Sequence, residues 1–265
     1  MTLATIQSAR LKNFSHGFFT RKGGQSKGIY KGLNCGLGSS DDAKTILSNR
    51  NLVAEHMGKS LDNIVGVHQI HSVEAIICNG TFETAPKADA LVTNTPGLLL
   101  SVLTADCQPV IFADRENSVI GIAHAGWRGA LSGILNSTIN KMEALGAERN
   151  QISAVIGPCI SQNAYEVGLD FFEKFTSSNK KNKDYFAYSS DTKKYHFDLP
   201  NFSLNLLKDE GISSIEWTGH CTYSDPKKFF SYRRSCHKNE PDYGRLISAI
   251  IANSKAAKAF FGLLI

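Results

Sequence analysis

Of the 265 residues, 42% are apolar and 20% charged, the balance of a soluble globular chain able to bury a core. Twenty-nine Lys and Arg against 24 Asp and Glu leave a net charge of +5, with no block of like charges and no interleaving of aromatic with basic residues. That pattern argues against a nucleic-acid partner, suits a small anionic substrate and sets no oligomeric state.

In chain order, apolar periodicity predicts a helix near 42–57 and then strands over 64–67, 74–78, 90–92, 98–103, 110–112 and 119–123. A long helix follows over 127–145, with Gly146 as its stop, and then a strand over 154–156. Beyond these come a helix at 169–176, a polar, lysine-rich loop over 176–194, a helix at 199–210, a strand at 215–218 and a helix at 242–253. Consecutive strands without intervening helices, with helices set on them, predict an α+β fold with mixed sheets. No repeat or low-complexity linker divides the chain, so a single domain spanning 1–265 is expected. The longest apolar run is too short to cross a bilayer, and the N-terminus lacks a secretory pattern. Six dispersed cysteines contain no C-x-x-C pair, so reduced thiols in a cytoplasmic protein without a membrane partner are expected.

The stretch 104–127, TADCQPVIFADRENSVIGIAHAGW, reads as an antiparallel hairpin. If Asp114 pairs with Val119, His124 faces Pro109 and Cys107 faces Gly126, which makes Cys107 and His124 diagonal neighbours on one face, roughly 6–8 Å apart. A loop one residue longer or shorter would place them on opposite faces. Immediately afterwards Ala125-Gly126-Trp127-Arg128-Gly129 opens the long helix, whose free N–H groups and Arg128 make an anion pocket; the alternative is a structural ion pair from Arg128 to Asp106 or Asp114. A metal needs a third ligand. His68 and His71 lie three apart, and on a strand at most one of them joins the site. A Cys/His/His set suits zinc with one position left open.

Taken together, the blocks along the chain resemble the YfiH-type, or laccase-domain, family, long labelled multicopper polyphenol oxidase. They are His16-Gly17-Phe18, Thr20-Arg21, Gly23-Gly24, Leu33-Asn34, Asn49-Arg50, Gln69-Ile70-His71, Asp89-Ala90-Leu91-Val92-Thr93, Thr104-Ala105-Asp106-Cys107 and His124-Ala125-Gly126-Trp127-Arg128-Gly129. Further matches are Ile156-Gly157-Pro158-Cys159-Ile160, Tyr165-Glu166-Val167, Cys221-Thr222-Tyr223 and Phe230-Ser231-Tyr232-Arg233-Arg234. The resemblance implies a zinc site of His71, Cys107 and His124, a four-layer α/β/β/α sandwich, and phosphorolysis of adenosine, inosine or methylthioadenosine together with adenosine deamination. It also offers Arg21, Arg50 and Asn34 as substrate-binding candidates beside Arg128. Two departures stand out, Ile-His-Ser at 70–72 in place of the family's Val-His-Gly and a long segment between Arg234 and Tyr243.

Oxidation at a trinuclear copper cluster needs about ten histidines, largely in His-x-His pairs. This chain has eight histidines and no such pair, although copper in the His/Cys/His site would still give a laccase-like polyphenol oxidase activity. Deamination needs a proton shuttle near the metal, for which Asp106 is the candidate. Phosphorolysis needs arginines and helix N–H groups around phosphate. Two alternatives stay open: a metal-free hydrolase with Cys107 as nucleophile and His124 as base, and a non-catalytic partner-binding protein. Cys159, His220-Cys221 and Cys236-His237 are expected to be structural.

Overall fold

The computed structural model describes residues 3–252. Its strands are β1 (Thr5–Ile6), β2 (His16–Phe19), β3 (Ile64–Val65), β4 (Ala75–Ile77), β5 (Ala90–Thr93), β6 (Leu99–Thr104) and β7 (Gln108–Asp114). They continue as β8 (Ile120–Ala125), β9 (Ile152–Ile156), β10 (Glu166–Val167), β11 (Phe186–Ser189), β12 (Lys194–Phe197), β13 (Ser214–Trp217) and β14 (Leu246–Ile251). The α-helices are α1 (Ala43–His56), α2 (Trp127–Ser132), α3 (Ile134–Ala144), α4 (Leu169–Ser178), α5 (Leu199–Asp209) and α6 (Tyr232–His237).

Two mixed sheets stack face to face. One has the order β1-β2-β14-β6-β3 and the other β13-β9-β7-β8-β5-β4, with a separate three-stranded sheet β10-β12-β11. Period-two alternation in the central strands supplies both faces of each sheet. Leu91, Leu100, Val102, Ile111, Ile120, Ile122 and Ile250 turn inward and fill the space between the sheets. Their sequence neighbours Ala90, Val92, Val110 and Phe112 face outward onto Ile134, Leu135, Ile139 and Met142 of α3 and Leu207 of α5. On the opposite flank Leu99, Ile247, Ala249 and Ile251 pack on Val53 and Ala54 of α1. The result is the α/β/β/α sandwich of an α+β fold, with strands buried on both faces. No helix of the described residues is long and apolar enough to cross a membrane.

Three expectations are corrected. The segment read as a helix over 242–253 is strand β14, seated between β2 and β6; residue 253 lies outside the described residues. Its Leu-Ile-Ser-Ala-Ile-Ile run is buried throughout, and the sheets claim both its faces, so a β-branched apolar run becomes a central strand. The helix read over 127–145 is two helices, because Gly133 adopts φ +105° between them. Residues 176–194 face solvent for most of their length, as expected, but are structured rather than a loop: they hold the end of α4, a 3₁₀ turn at Lys180–Tyr185 and the strand β11, which pairs with β12. What holds this segment is aromatic packing. Tyr185, Phe186 and Tyr195 join Phe171, Phe175, Phe197 and Phe202 in one cluster, while the lysines stay at the surface.

Candidate metal centre and its cavity

The hairpin register is the one the turn chemistry requires. Pro109 pairs with His124 and Gln108 with Ala125. Asp114 closes the turn by accepting from the backbone N–H groups of Glu116 (2.7 Å) and Asn117 (2.9 Å), and its other oxygen accepts from Glu148 N–H (2.9 Å). Cys107, one residue before β7, and His124, near the end of β8, therefore sit on the same end and face of the six-stranded sheet. Gly126 lies beneath them: a Cβ there would stand 2.9 Å from the Cys107 sulfur and 3.1 Å from His71 Cδ2, so only glycine leaves room for the cluster.

His71 reaches the pair from a turn, not from a strand. Its φ is +58°, a left-handed conformation that turns three successive N–H groups toward one carboxylate. Asp89, fully buried just before β5, accepts from the N–H of Ile70 (3.3 Å), His71 (3.0 Å) and Ser72 (2.5 Å), and from the Ser72 hydroxyl (2.7 Å). Its Oδ1 also accepts from His124 Nδ1 at 2.8 Å, which leaves His124 Nε2 free to face Cys107. Gln69 fixes the same turn from the other side, donating to Leu103 C=O and accepting from Leu103 N–H, both at 2.8 Å.

His71, Cys107 and His124 thus bring their donor atoms within 4.8 Å of one another, with His71 Nε2 4.0 Å from the Cys107 sulfur. The electrostatics favour ligation. Burial by itself raises the Cys107 thiol, but the charge of His124 and the contacts with both histidines outweigh it and pull the thiol down to about 6. Burial likewise opposes charge on Asp89; the bonds from His124 and Ser72 win and hold that carboxyl at about 2. A thiolate, two imidazoles and an ionised carboxylate behind one of them are the donor set of a closely held metal ion, and the residues fit it.

The cluster opens into a cavity of about 540 Å³. Leu37, Phe82 and Leu103 give it apolar wall, and Arg50 and Arg245 give it positive charge. Arg50 donates to Cys35 C=O at 3.3 Å and has no carboxylate partner among the described residues. Burial lowers its pKa. Arg245 stacks on the Tyr243 ring at 4.3 Å, with Asp242 at 3.6 Å.

Other residues singled out from the sequence lie elsewhere. The Asp106 carboxylate is buried and turned away, accepting from Thr222 Oγ1 (2.6 Å), Ser231 Oγ (2.9 Å) and Arg233 N–H (2.7 Å). Arg128 is exposed, stacked against Trp127 at 5.0 Å, and does not line this cavity. Arg21 lines a different cavity. Asn34 is buried and accepts from the N–H of Gly36 and Arg245, so it shapes the wall and holds Arg245 in place. Asp89, Gln69 and Arg245 were not marked as site residues by sequence reasoning. Asp89 and Gln69 act through contacts 17–35 positions distant, and Arg245 precedes the strand mistaken for a helix.

A cysteine-and-histidine cluster at the strand ends of a four-layer α+β sandwich defines a candidate metal centre that opens into a cavity. The chain belongs to the laccase-domain, YfiH-type family: the family model described as multi-copper polyphenol oxidoreductase laccase matches residues 15–253. A Deinococcus radiodurans protein named purine nucleoside phosphorylase is 37% identical over 239 residues, covering 88% of this chain and 90% of the relative. A Rickettsia conorii protein of the same printed activity is 34% identical over 206 residues, covering 78% and 84%. A Neisseria meningitidis protein of solved structure superposes with a TM-score of 0.85 at 32% identity, covering 96% of this chain and all of the other.

Proposed function

We propose that the protein is a zinc-dependent purine nucleoside phosphorylase, converting adenosine, inosine or methylthioadenosine to the free base and a ribose 1-phosphate. The observation that carries this reading is the position of Arg50, a half-buried guanidinium without a carboxylate partner among the described residues, in the same cavity as the His71–Cys107–His124 cluster. Two relatives carrying the phosphorylase name support the substrate class. His71, Cys107 and His124 would hold the zinc. When bound, the ion supplies a positive centre that polarises whatever substrate atom lies against it.

In this reading Arg50 and Arg245 hold phosphate and direct one of its oxygens at C1′ of the ribose. The new C1′–O bond forms as the C1′–N9 bond breaks, and the bonding pair leaves with the purine, which takes up the proton that hydrogenphosphate gives up on becoming the ester. Leu37, Phe82 and Leu103 give the base an apolar seat and exclude water that would compete with phosphate. Adenosine deamination at the same centre is the lesser activity: no carboxylate lines the cavity among the described residues, and Asp106 is held by Thr222, Ser231 and Arg233. We place the reaction in the cytoplasm, in keeping with six unpaired cysteines. A copper-loaded cluster would account for the polyphenol oxidase label.

The Asp89–His124 bond favours one other reading, a metal-free hydrolase in which Asp89 orients His124 and His124 activates the Cys107 thiol. One experiment separates them. Protein purified without added metal is analysed for zinc and copper, then incubated with each nucleoside with and without phosphate. Ribose 1-phosphate that appears only with phosphate, and is lost in Cys107→Ala, supports phosphorolysis. Base release independent of phosphate, from protein without metal, would replace it with the hydrolase.

A further inference from the structure

A second cavity, of about 630 Å³, lies between the loop 21–32 and the segment 226–244. Six basic side chains line it, Arg21, Lys22, Lys31, Lys227, Arg234 and Lys238, against one acidic residue, Glu240. None of the six forms an ion pair among the described residues. The two guanidinium groups are fixed by neutral carbonyls instead. Arg21 donates to Lys31 C=O (2.9 and 3.1 Å) and Pro226 C=O (3.2 Å) while stacking on Phe230 at 4.2 Å. Arg234 donates to Thr222 and Tyr223 C=O, each at 2.8 Å, and to Phe229 C=O. Neither arginine has a carboxylate in direct contact among the described residues, so their charges are positioned and only partly offset, by Asp106 and Glu240 at Arg234 and by Glu240 at Arg21. Burial and then the charge of Arg234 both lower the Arg21 pKa, the mark of two cations held close together.

The loop wall is built rather than loose. Ser26 and Gly32 exchange backbone hydrogen bonds at 3.0 and 3.1 Å, and Gly24 packs directly on the backbone of Gly32 and Leu33. The volume is that of a small-molecule site. A single phosphate, with at most two negative charges near neutral pH, leaves most of this positive charge uncompensated, whereas a chain of phosphoryl groups matches it.

We propose that this cavity is a second anion site, which takes the phosphate chain of a small ligand bearing two or more linked phosphoryl groups. It is distinct from the cavity of the metal cluster, although Tyr243 lines both. The inference stands whether or not the phosphorylase reading holds.

Calorimetric titration of the whole protein, without divalent cations, with orthophosphate, pyrophosphate, tripolyphosphate and ADP tests it. Saturable binding at one site is expected, at least about tenfold tighter for tripolyphosphate than for orthophosphate. ADP binding tighter than pyrophosphate identifies a nucleotide as the source of the chain; equal binding identifies an inorganic oligophosphate. Lys22 and Lys238, exposed and bonded only through their backbone N–H groups among the described residues, permit a variant that spares the fold: Lys22→Ala with Lys238→Ala weakens tripolyphosphate binding about tenfold or more, and Glu240→Gln tightens it. Absence of tripolyphosphate binding would overturn the proposal. So would binding that survives in the double-lysine variant and disappears in Arg50→Met, since the ligand would then occupy the metal-cluster cavity.

Discussion

Asp89 and His124 form the bond on which the cluster geometry depends: the ring Nδ1 donates to the carboxylate at 2.8 Å, and that carboxylate also gathers the N–H groups of Ile70, His71 and Ser72. One buried side chain thus sets the tautomer of one histidine and the turn that carries the other. Asp89→Asn keeps the volume but cannot accept on both atoms, so one end of the amide faces a donor. The expected outcome is a 10–100-fold loss of metal affinity, read by competition with a chromophoric chelator. A thermal melt shows whether the fold survives. Undiminished affinity in a folded variant would show that the histidines hold their places without Asp89.

Gly126 sets a second, steric condition. A Cβ at this position would stand 2.9 Å from the Cys107 sulfur, below any normal contact, so Gly126→Ala forces the thiol or the His71 ring aside. Overpacking of this kind costs about 1–3 kcal/mol. The larger effect is expected in metal content and in thiol alkylation: bound metal falls, and Cys107 becomes more reactive toward iodoacetamide at neutral pH. Metal content equal to that of the native protein would mean the cluster has slack that the structure does not show.

How much of this was legible in the sequence depended on whether the determining contacts were local. The β7–β8 register could be counted because Asp114 and Asn117 close a short turn, and once Asp114 is paired with Val119 the meeting of Cys107 with His124 follows. His71 could not be chosen over His68 by the same counting, because it assumed a strand where the chain turns at φ +58°. The resemblance to a family supplied that choice. Arg245 escaped for a different reason: Leu246–Ile251 has the apolar density of a buried helix, and only the presence of strands on both sides makes it β14. The assignment of Arg128 to an anion pocket rested on sequence adjacency to His124, yet its side chain leaves along Trp127 to the surface.

If phosphate binds at Arg50 and Arg245, the two arginines separate the co-substrates kinetically. Arg50→Met retains the stem and removes the charge. It is expected to lower kcat/KM for phosphate by about 10²–10³ while KM for the nucleoside changes little. Arg245→Met acts in the same direction and less strongly, because Asp242 already offsets part of its charge at 3.6 Å. Initial rates with each substrate varied in turn provide the check. A rise confined to the nucleoside KM would move the phosphate away from Arg50.

Stability should carry its own pH signature through His16, which is buried in β2. Its Nε2 accepts from Ser8 N–H at 3.0 Å, which makes Nδ1 the donor to Phe14 C=O at 2.9 Å and requires a neutral ring. Burial lowers its pKa below the ordinary 6.5, against a smaller opposing effect of the Phe14 bond. In the unfolded chain the ring takes up its proton as pH falls through 6.5, while the folded protein still excludes it. The neutral ring's contribution is therefore complete above 6.5 and declines as pH drops toward the folded value. Denaturant midpoints measured at several pH values between about 8 and 5 should show the native protein losing its advantage over His16→Gln as pH falls. A constant difference across that range would mean that His16 titrates alike in the folded and unfolded chains.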